Sequence, residues 1–310
     1  MTPSPHPLRR ALRIVGATVL VVASIAYMAS ALGSPATLRT VAWLAHPWLL
    51  AASVLLHATS LSLGCLLWWS VLNRVAPDVV APAAHWRIWA LTNPARYIPG
   101  RIWHVTSLGL LMRTAGVPVV ALLTSMAVHM WLFVLAACVV GLGLLPSLPL
   151  PASVQALSVG AVVALVGLGT HPRFLGAAVG LLSRVTRQPM LAWRGQWHTA
   201  LSLCALNVVI HLVTGISACM LLRATVGLDV ADAPRVIAAN AIAFLAGYVS
   251  LVPAGLGVRD AVLAILLAPA EASGRAAVAA LALRVWGIAT ELLLVGIALV
   301  VGRRQDSMRS

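Results

Sequence analysis

What most limits the folds open to this chain is a set of uncharged apolar runs, each about as long as a bilayer is thick. Residues 14–32, 47–72, 118–145, 153–170 and 199–222 contain no Arg, Lys, Asp or Glu, and residues 276–302 contain only Arg284 and Glu291. A helix rises about 1.5 Å per residue, so about 20 such residues cross the roughly 30 Å of hydrocarbon in a membrane. Composition agrees, with 61% of 310 residues hydrophobic, 9% charged and a mean hydropathy of +0.98. No water-soluble core needs that much apolar surface. The expected fold class is therefore all-α, a polytopic membrane helix bundle with about six full spans. For residues 14–32 a cleavable signal peptide is the competing reading, since Ala29-Ser30-Ala31 resembles a cleavage site. The run at 47–72 has Trp43 and Trp48 at one end and Trp68 and Trp69 at the other, as an interfacial belt requires.

Two stretches interrupt this pattern. Asn93-Pro94-Ala95-Arg96-Tyr97-Ile98-Pro99-Gly100-Arg101-Ile102-Trp103-His104 holds two prolines and a glycine, so no helix runs through it unbroken. The second break, about half a chain later, runs from Tyr248 through Val252-Pro253-Ala254-Gly255-Leu256-Gly257-Val258-Arg259-Asp260. Broken backbone at membrane depth is tolerated only inside protein or beside a watery cavity. Each break is followed by one long span, and Trp131 and Trp286 occupy similar places in those spans. The expected organisation is a single membrane domain. It comprises two N-terminal spans (1–82), a broken hairpin plus span (83–151) and two spans around a basic loop (152–231). A second hairpin plus span (232–302) and a basic tail (303–310) complete it. The two hairpin-plus-span units read as an inverted repeat.

Orientation follows from arginine. All 21 basic residues are arginine and the formal net charge is +14. Nucleic acid is the usual partner of so basic a chain, but these arginines flank apolar segments and point to a bilayer instead. With the N-terminus inside, Arg9, Arg10, Arg13, Arg74, Arg87, Arg173, Arg184, Arg187, Arg194, Arg303, Arg304 and Arg309 are cytoplasmic. Only Arg39, Arg223, Arg235 and Arg275 face out, as the positive-inside rule requires. Both termini are expected in the cytoplasm, in the inner (plasma) membrane. Within the basic loop, residues 175–185 fit a short amphipathic helix on the membrane surface.

Charge at membrane depth marks the candidate site. Arg96, Arg101, Arg113, Arg259 and Arg284 are costly there by at least ~2.5 kcal/mol each on insertion scales. No carboxylate occurs between Asp78 and Asp229, so the first-half arginines have no acidic partner nearby in sequence. Guanidinium grips phosphate bidentately, and the helix restarting after Pro99-Gly100 would aim free amides at the same ligand. The simpler alternative is snorkelling by Arg96 and Arg113 and a backbone contact for Arg101. Asp260 and Glu291 are the buried acids. Arg259 and Asp260, being adjacent, face different sides of a helix. Arg284 and Glu291 share a face but lie roughly 10 Å apart along the axis, so each needs another partner. If the two breaks share one cavity, Arg96 or Arg101 comes near Asp260 or Arg259. A buried acid then neutralises an arginine until a phosphate replaces it.

Other chemistry has no footing. His57, His104, His129 and His211 lack zinc-protease spacing and read as core histidines; His104 alone shares a helical face with Arg101. Cys65, Cys138, Cys204 and Cys219 sit singly in apolar runs, without disulfide or ligand spacing. No nucleophile elbow or P-loop occurs. No catalytic residue, cofactor or metal is expected.

At the breaks the chain resembles the flippase-like integral membrane family named after the transmembrane region of lysylphosphatidylglycerol synthase. The matching pieces are Tyr97-Ile98-Pro99-Gly100-Arg101-Ile102-Trp103, Gly116-Val117 before a long span, and Val252-Pro253-Ala254-Gly255-Leu256-Gly257-Val258-Arg259-Asp260. The family's second motif commonly reads Pro-Gly-Gly-Leu-Gly-Val-Arg-Glu, so Ala254 and Asp260 depart from it. His129 stands where the family often has glutamate. The resemblance implies movement or presentation of an anionic lipid, or work beside polyprenyl-phosphate sugar pathways. The chain ends at Ser310 without the aminoacyl-transferase domain of the bifunctional synthases, so catalysis is not expected of it. Two roles remain open. One is translocating or presenting a phosphate-bearing lipid, with Arg96, Tyr97, Pro99, Gly100, Arg101, His104, Pro253, Gly255, Gly257, Arg259, Asp260 and Glu291 at the headgroup. The other is a non-transporting scaffold for a membrane glycosyltransferase or lipid-modifying enzyme.

Overall fold

The computed structural model describes residues 46–97, 102–148, 150–187, 189–193, 195–250, 252, 255–268 and 273–307. The expected span at 14–32, with its alternative cleavage site, lies outside them. So do Trp43, Pro99, Gly100, Arg101 and Pro253. Within the described residues the chain is helical and contains no strand. In chain order the helices are α1 (Pro47–Val75), α2 (Pro82–Thr92), α3 (Ile102–Thr114), α4 (Val119–Gly141) and α5 (Ala152–Gly169). They continue with α6 (Pro172–Thr186), α7 (Trp197–Thr225), α8 (Ala233–Val249), α9 (Val258–Leu267) and α10 (Ser273–Ser307). Short 3-10 turns occupy Asn93–Tyr97, Leu142–Ser147 and Val230–Asp232.

Proline sets many of these boundaries. In the first turn its missing N–H has no intrahelical partner to lose, and its fixed φ suits the helix. Thus α1, α2 and α6 begin on Pro47, Pro82 and Pro172, while Pro118 and Pro151 cap α4 and α5. At the other end of α1, Ala76 precedes Pro77 and is forced out of the helical region, to φ −141° and ψ 95°.

Six stretches are long and apolar enough to cross a membrane: Pro47–Val75, Val119–Gly141, Ala152–Gly169, Trp197–Thr225, Val230–Val249 and Arg275–Gly302. That is the helix inventory of a multi-pass membrane protein. Five of them coincide with the apolar runs of the sequence. The sixth does not, because the sequence reading takes this stretch as one arm of the second broken segment. Its 20 residues nevertheless rise about 30 Å, enough to cross by themselves. The first broken segment has no such arm, since α2 and α3 have 11 and 13 residues.

α7 is the centre of the bundle and packs against α1, α4, α8 and α10. Lipid tails are as apolar as leucine, so these helices gain little from merely leaving lipid and associate through close packing and hydrogen bonds. At Gly215 of α7 an added Cβ would lie 2.8 Å from the Ile237 side chain and 3.0 Å from its Cα, so glycine is what lets α8 approach. Small residues continue that core, with Ala239 and Ala243 of α8 and Ala276, Ala279 and Ala280 of α10 at zero or near-zero exposure. Polar side chains stitch the same interfaces. Ser60 of α1 donates to the Ile210 carbonyl of α7 at 3.2 Å. The Trp68 indole of α1 donates to Ser125 Oγ of α4 at 3.2 Å, and His211 Nε2 of α7 donates to the Phe133 carbonyl of α4 at 3.2 Å. By contrast only Gly169 of α5 is buried.

Candidate functional site at the helix breaks

The first break begins where Pro94 follows Asn93. The backbone tightens into the 3-10 turn Asn93–Tyr97, and the helical ladder stops, leaving end carbonyls to find other donors. One finds His104. Its Nδ1 lies 3.0 Å from the Thr92 carbonyl, and because a carbonyl only accepts, Nδ1 carries the proton. His104 on α3 thus ties the end of α2 across the break. Asn93 is 4% exposed, and its buried side-chain Nδ2 meets no acceptor among the described residues. Arg96, in the same turn, forms an ion pair with Glu291 of α10. The two partners differ in setting, for the Arg96 side chain is 36% exposed and that of Glu291 only 4%.

The second break is built by glycine. Gly255 and Gly257 have φ of +61° and +77°, a region that side chains resist. Gly255 also touches α8, since a Cβ on it would lie 2.9 Å from the Gly247 Cα. This double requirement folds α9 back onto α8. α9 then restarts at Val258, and Asp260 reaches back so that Oδ2 accepts from the Gly257 N–H at 3.1 Å. That is half of a capping box, with the carboxylate at the positive end of the helix. The same Oδ2 accepts from Arg284 Nη2 at 2.7 Å and Nε at 3.2 Å. Arg259 turns the other way and donates to Asn240 Oδ1 of α8 at 3.1 Å.

Both breaks therefore lean on one helix. α10 packs against α2, the Asn93–Tyr97 turn and α9, and supplies Glu291 to the first break and Arg284 to the second. These two are two turns apart, roughly 10 Å along the axis, and bond different partners. Between them Trp286 stacks on His57 of α1, with ring centroids 4.0 Å apart and planes at 22°.

The sequence candidates fall out as follows. Arg96 and Glu291 come together, as do Gly255, Gly257 and Asp260, with Arg284 added. Arg259 faces Asn240, and the adjacent Arg259 and Asp260 do diverge. Arg96 pairs with Glu291, one of the two buried acids the sequence offers, and Asp260 is engaged with Arg284. Tyr97 ends the 3-10 turn. Pro99, Gly100, Arg101 and Pro253 lie outside the described residues. Arg113 is exposed at the end of α3, the position from which an arginine snorkels. Asn240 and the His57–Trp286 stack carry no sequence signal, since each lies in an ordinary apolar run. Arg96, Arg259 and Arg284 outnumber Asp260 and Glu291, so the described part of the junction has a positive excess suited to an anion.

Comparison of the chain with protein-family models, with curated proteins and with solved structures finds no match.

Proposed function

We propose that this chain is a flippase-like protein of the inner membrane, with both termini cytoplasmic. It takes the phosphate headgroup of an anionic lipid, or of a polyprenyl-phosphate-linked precursor, at the junction of its two breaks. It then passes or presents that lipid between leaflets. The observation that carries the reading is the Arg96–Glu291 pair, a partly exposed arginine side chain against a buried carboxylate. An incoming phosphate offers Arg96 a bidentate partner with more charge. The buried Asn93 Nδ2 supplies a further donor for such an oxygen. Two broken segments half a chain apart give the path its two-sided character, with each break opening toward one face. The resemblance of the motif stretches to the flippase-like family supports the same role.

The test is lipid movement by the purified protein. Liposomes containing fluorescent phosphatidylglycerol are treated with an outside-only quencher. Protein-bearing vesicles should lose their inner-leaflet signal, and Arg96→Gln should slow that loss at least severalfold. Protection equal to that of empty liposomes would end the transport reading. The second reading, an accessory subunit for a membrane glycosyltransferase or lipid-modifying enzyme, is favoured by α5, most of whose residues are exposed and of which only Gly169 is fully buried. Under it, the protein would move no lipid and would co-purify with such an enzyme.

A further inference from the structure

A second feature, away from the break junction, also meets anionic lipid. α6 is buried on one side only, where Leu175 and Val179 are 1% and 6% exposed and join a core with α4 and α7. At about 100° per residue, the neighbouring stripe is Phe174, Leu181 and Val185, which are 42%, 63% and 72% exposed. Arg173 and Arg184 follow on the next side round, with Arg187 just beyond at the C-cap, and all three are exposed. The order around the helix is thus buried apolar, exposed apolar, then cationic. From residue 171 to 198 no acid occurs to neutralise those arginines.

The level of the helix is fixed as well. α6 starts three residues after α5 ends, beside the start of α7. The Trp131 indole donates to the Gly169 carbonyl at 2.9 Å, and the Trp197 indole donates to Thr170 Oγ1 at 3.1 Å. Trp197 is the first residue of an apolar helix, where tryptophan marks the membrane–water boundary. Phe174 packs against Trp131, midway along α4, with ring centroids 5.6 Å apart. Beyond the helix, the Leu191 N–H donates to Thr124 Oγ1 of α4 at 2.9 Å, which pins the returning loop to the bundle.

We propose that α6 is a docking face for the headgroups of anionic phospholipids. Phe174, Leu181 and Val185 sit among the upper acyl chains, while Arg173, Arg184 and Arg187 hold phosphate at the headgroup level. The occupant is bilayer lipid, because free phosphate would leave the exposed apolar stripe in water. This site does not depend on what the break junction does.

The test uses the full chain with a fluorophore on Leu181→Cys, reconstituted into phosphatidylcholine vesicles containing phosphatidylglycerol. Bromine is placed on the acyl chains of one lipid class or the other. Brominated phosphatidylglycerol should quench more strongly than brominated phosphatidylcholine at equal mole fraction. That bias should fall about fivefold for each of Arg173→Gln and Arg184→Gln, as expected for roughly 1 kcal/mol per basic residue at an anionic surface. High salt should erase it. Equal quenching by the two lipids, or a bias indifferent to the arginines, would overturn the proposal. So would a fluorophore that neither lipid quenches, the result expected if a protein partner or water covers the face. A measurement without labelling runs beside it: phosphatidylglycerol retained by the detergent-purified protein should drop in the double arginine variant and stay unchanged in Arg74→Gln. Equal retention in all three proteins would count against the proposal.

Discussion

At the scale of single residues, the charges of the breaks are balanced by partners of unequal exposure. Arg96 is partly exposed beside Glu291, so replacing the acid should loosen one hold on the guanidinium and favour an anion. Glu291→Gln is expected to raise anionic-lipid affinity on the order of tenfold, less than the full ~1.5–3 kcal/mol of a charged hydrogen bond because Arg96 is partly exposed. Lipid binding by the purified variant would check this, and an unchanged or weaker affinity would contradict it. Asp260 and Arg284 are a different case, with side chains only 15% and 12% exposed. Removing one member of such a pair typically costs about 3–5 kcal/mol, and asparagine keeps one oxygen, so Asp260→Asn belongs near the lower end. Thermal unfolding in detergent should show a clear drop, and adding Arg284→Gln should restore part of it. A single variant as stable as the parent would mean that the pair stabilises nothing.

At the scale of elements, the helix boundaries were largely legible because they are local. Proline starts or caps α1, α2, α4, α5 and α6, and uncharged runs fill α1, α4, α5 and α7. What was not legible is which helix each buried charge faces. Spacing along α10 shows that Arg284 and Glu291 cannot meet, but only packing reveals that one faces α9 and the other the Asn93–Tyr97 turn. Nor does the sequence show that Val230–Val249, read as one arm of the second broken segment, is by itself long and apolar enough to span, with the turn at its end. Glycine makes that turn. Gly255→Ala should destabilise the protein by roughly 1–3 kcal/mol, from a side chain at positive φ pressed against Gly247. Gly64→Ala in α1, where a Cβ meets nothing within 4 Å, should instead be neutral or stabilising by about 0.5–1 kcal/mol. Unfolding midpoints measured in the same detergent compare the two directly, and equal behaviour would discount the α8–α9 contact.

At the scale of the molecule, orientation is the property most open to direct test. In the proposed orientation α6 and its loop lie inside, so Arg187→Cys should react with a membrane-impermeant thiol reagent only after the cytoplasmic face is opened. Labelling from outside in intact cells would invert the whole arrangement.

The reach of α10 also bears on how the chain is made. Arg96 and Glu291 are 195 residues apart, so synthesis delivers the first break long before its acid exists. The α2–α3 hairpin therefore cannot adopt its final ion pairing until the last helix is inserted, although α1 and α4 on either side are in place early. Non-local contacts of this kind form late and leave their segments exposed meanwhile. A nascent chain arrested at residue 272 should leave the first break open to water-borne thiol reagent through Ala95→Cys, and release of the complete chain should close it. Equal reactivity in arrested and completed chains would show that the hairpin settles without its distant partner.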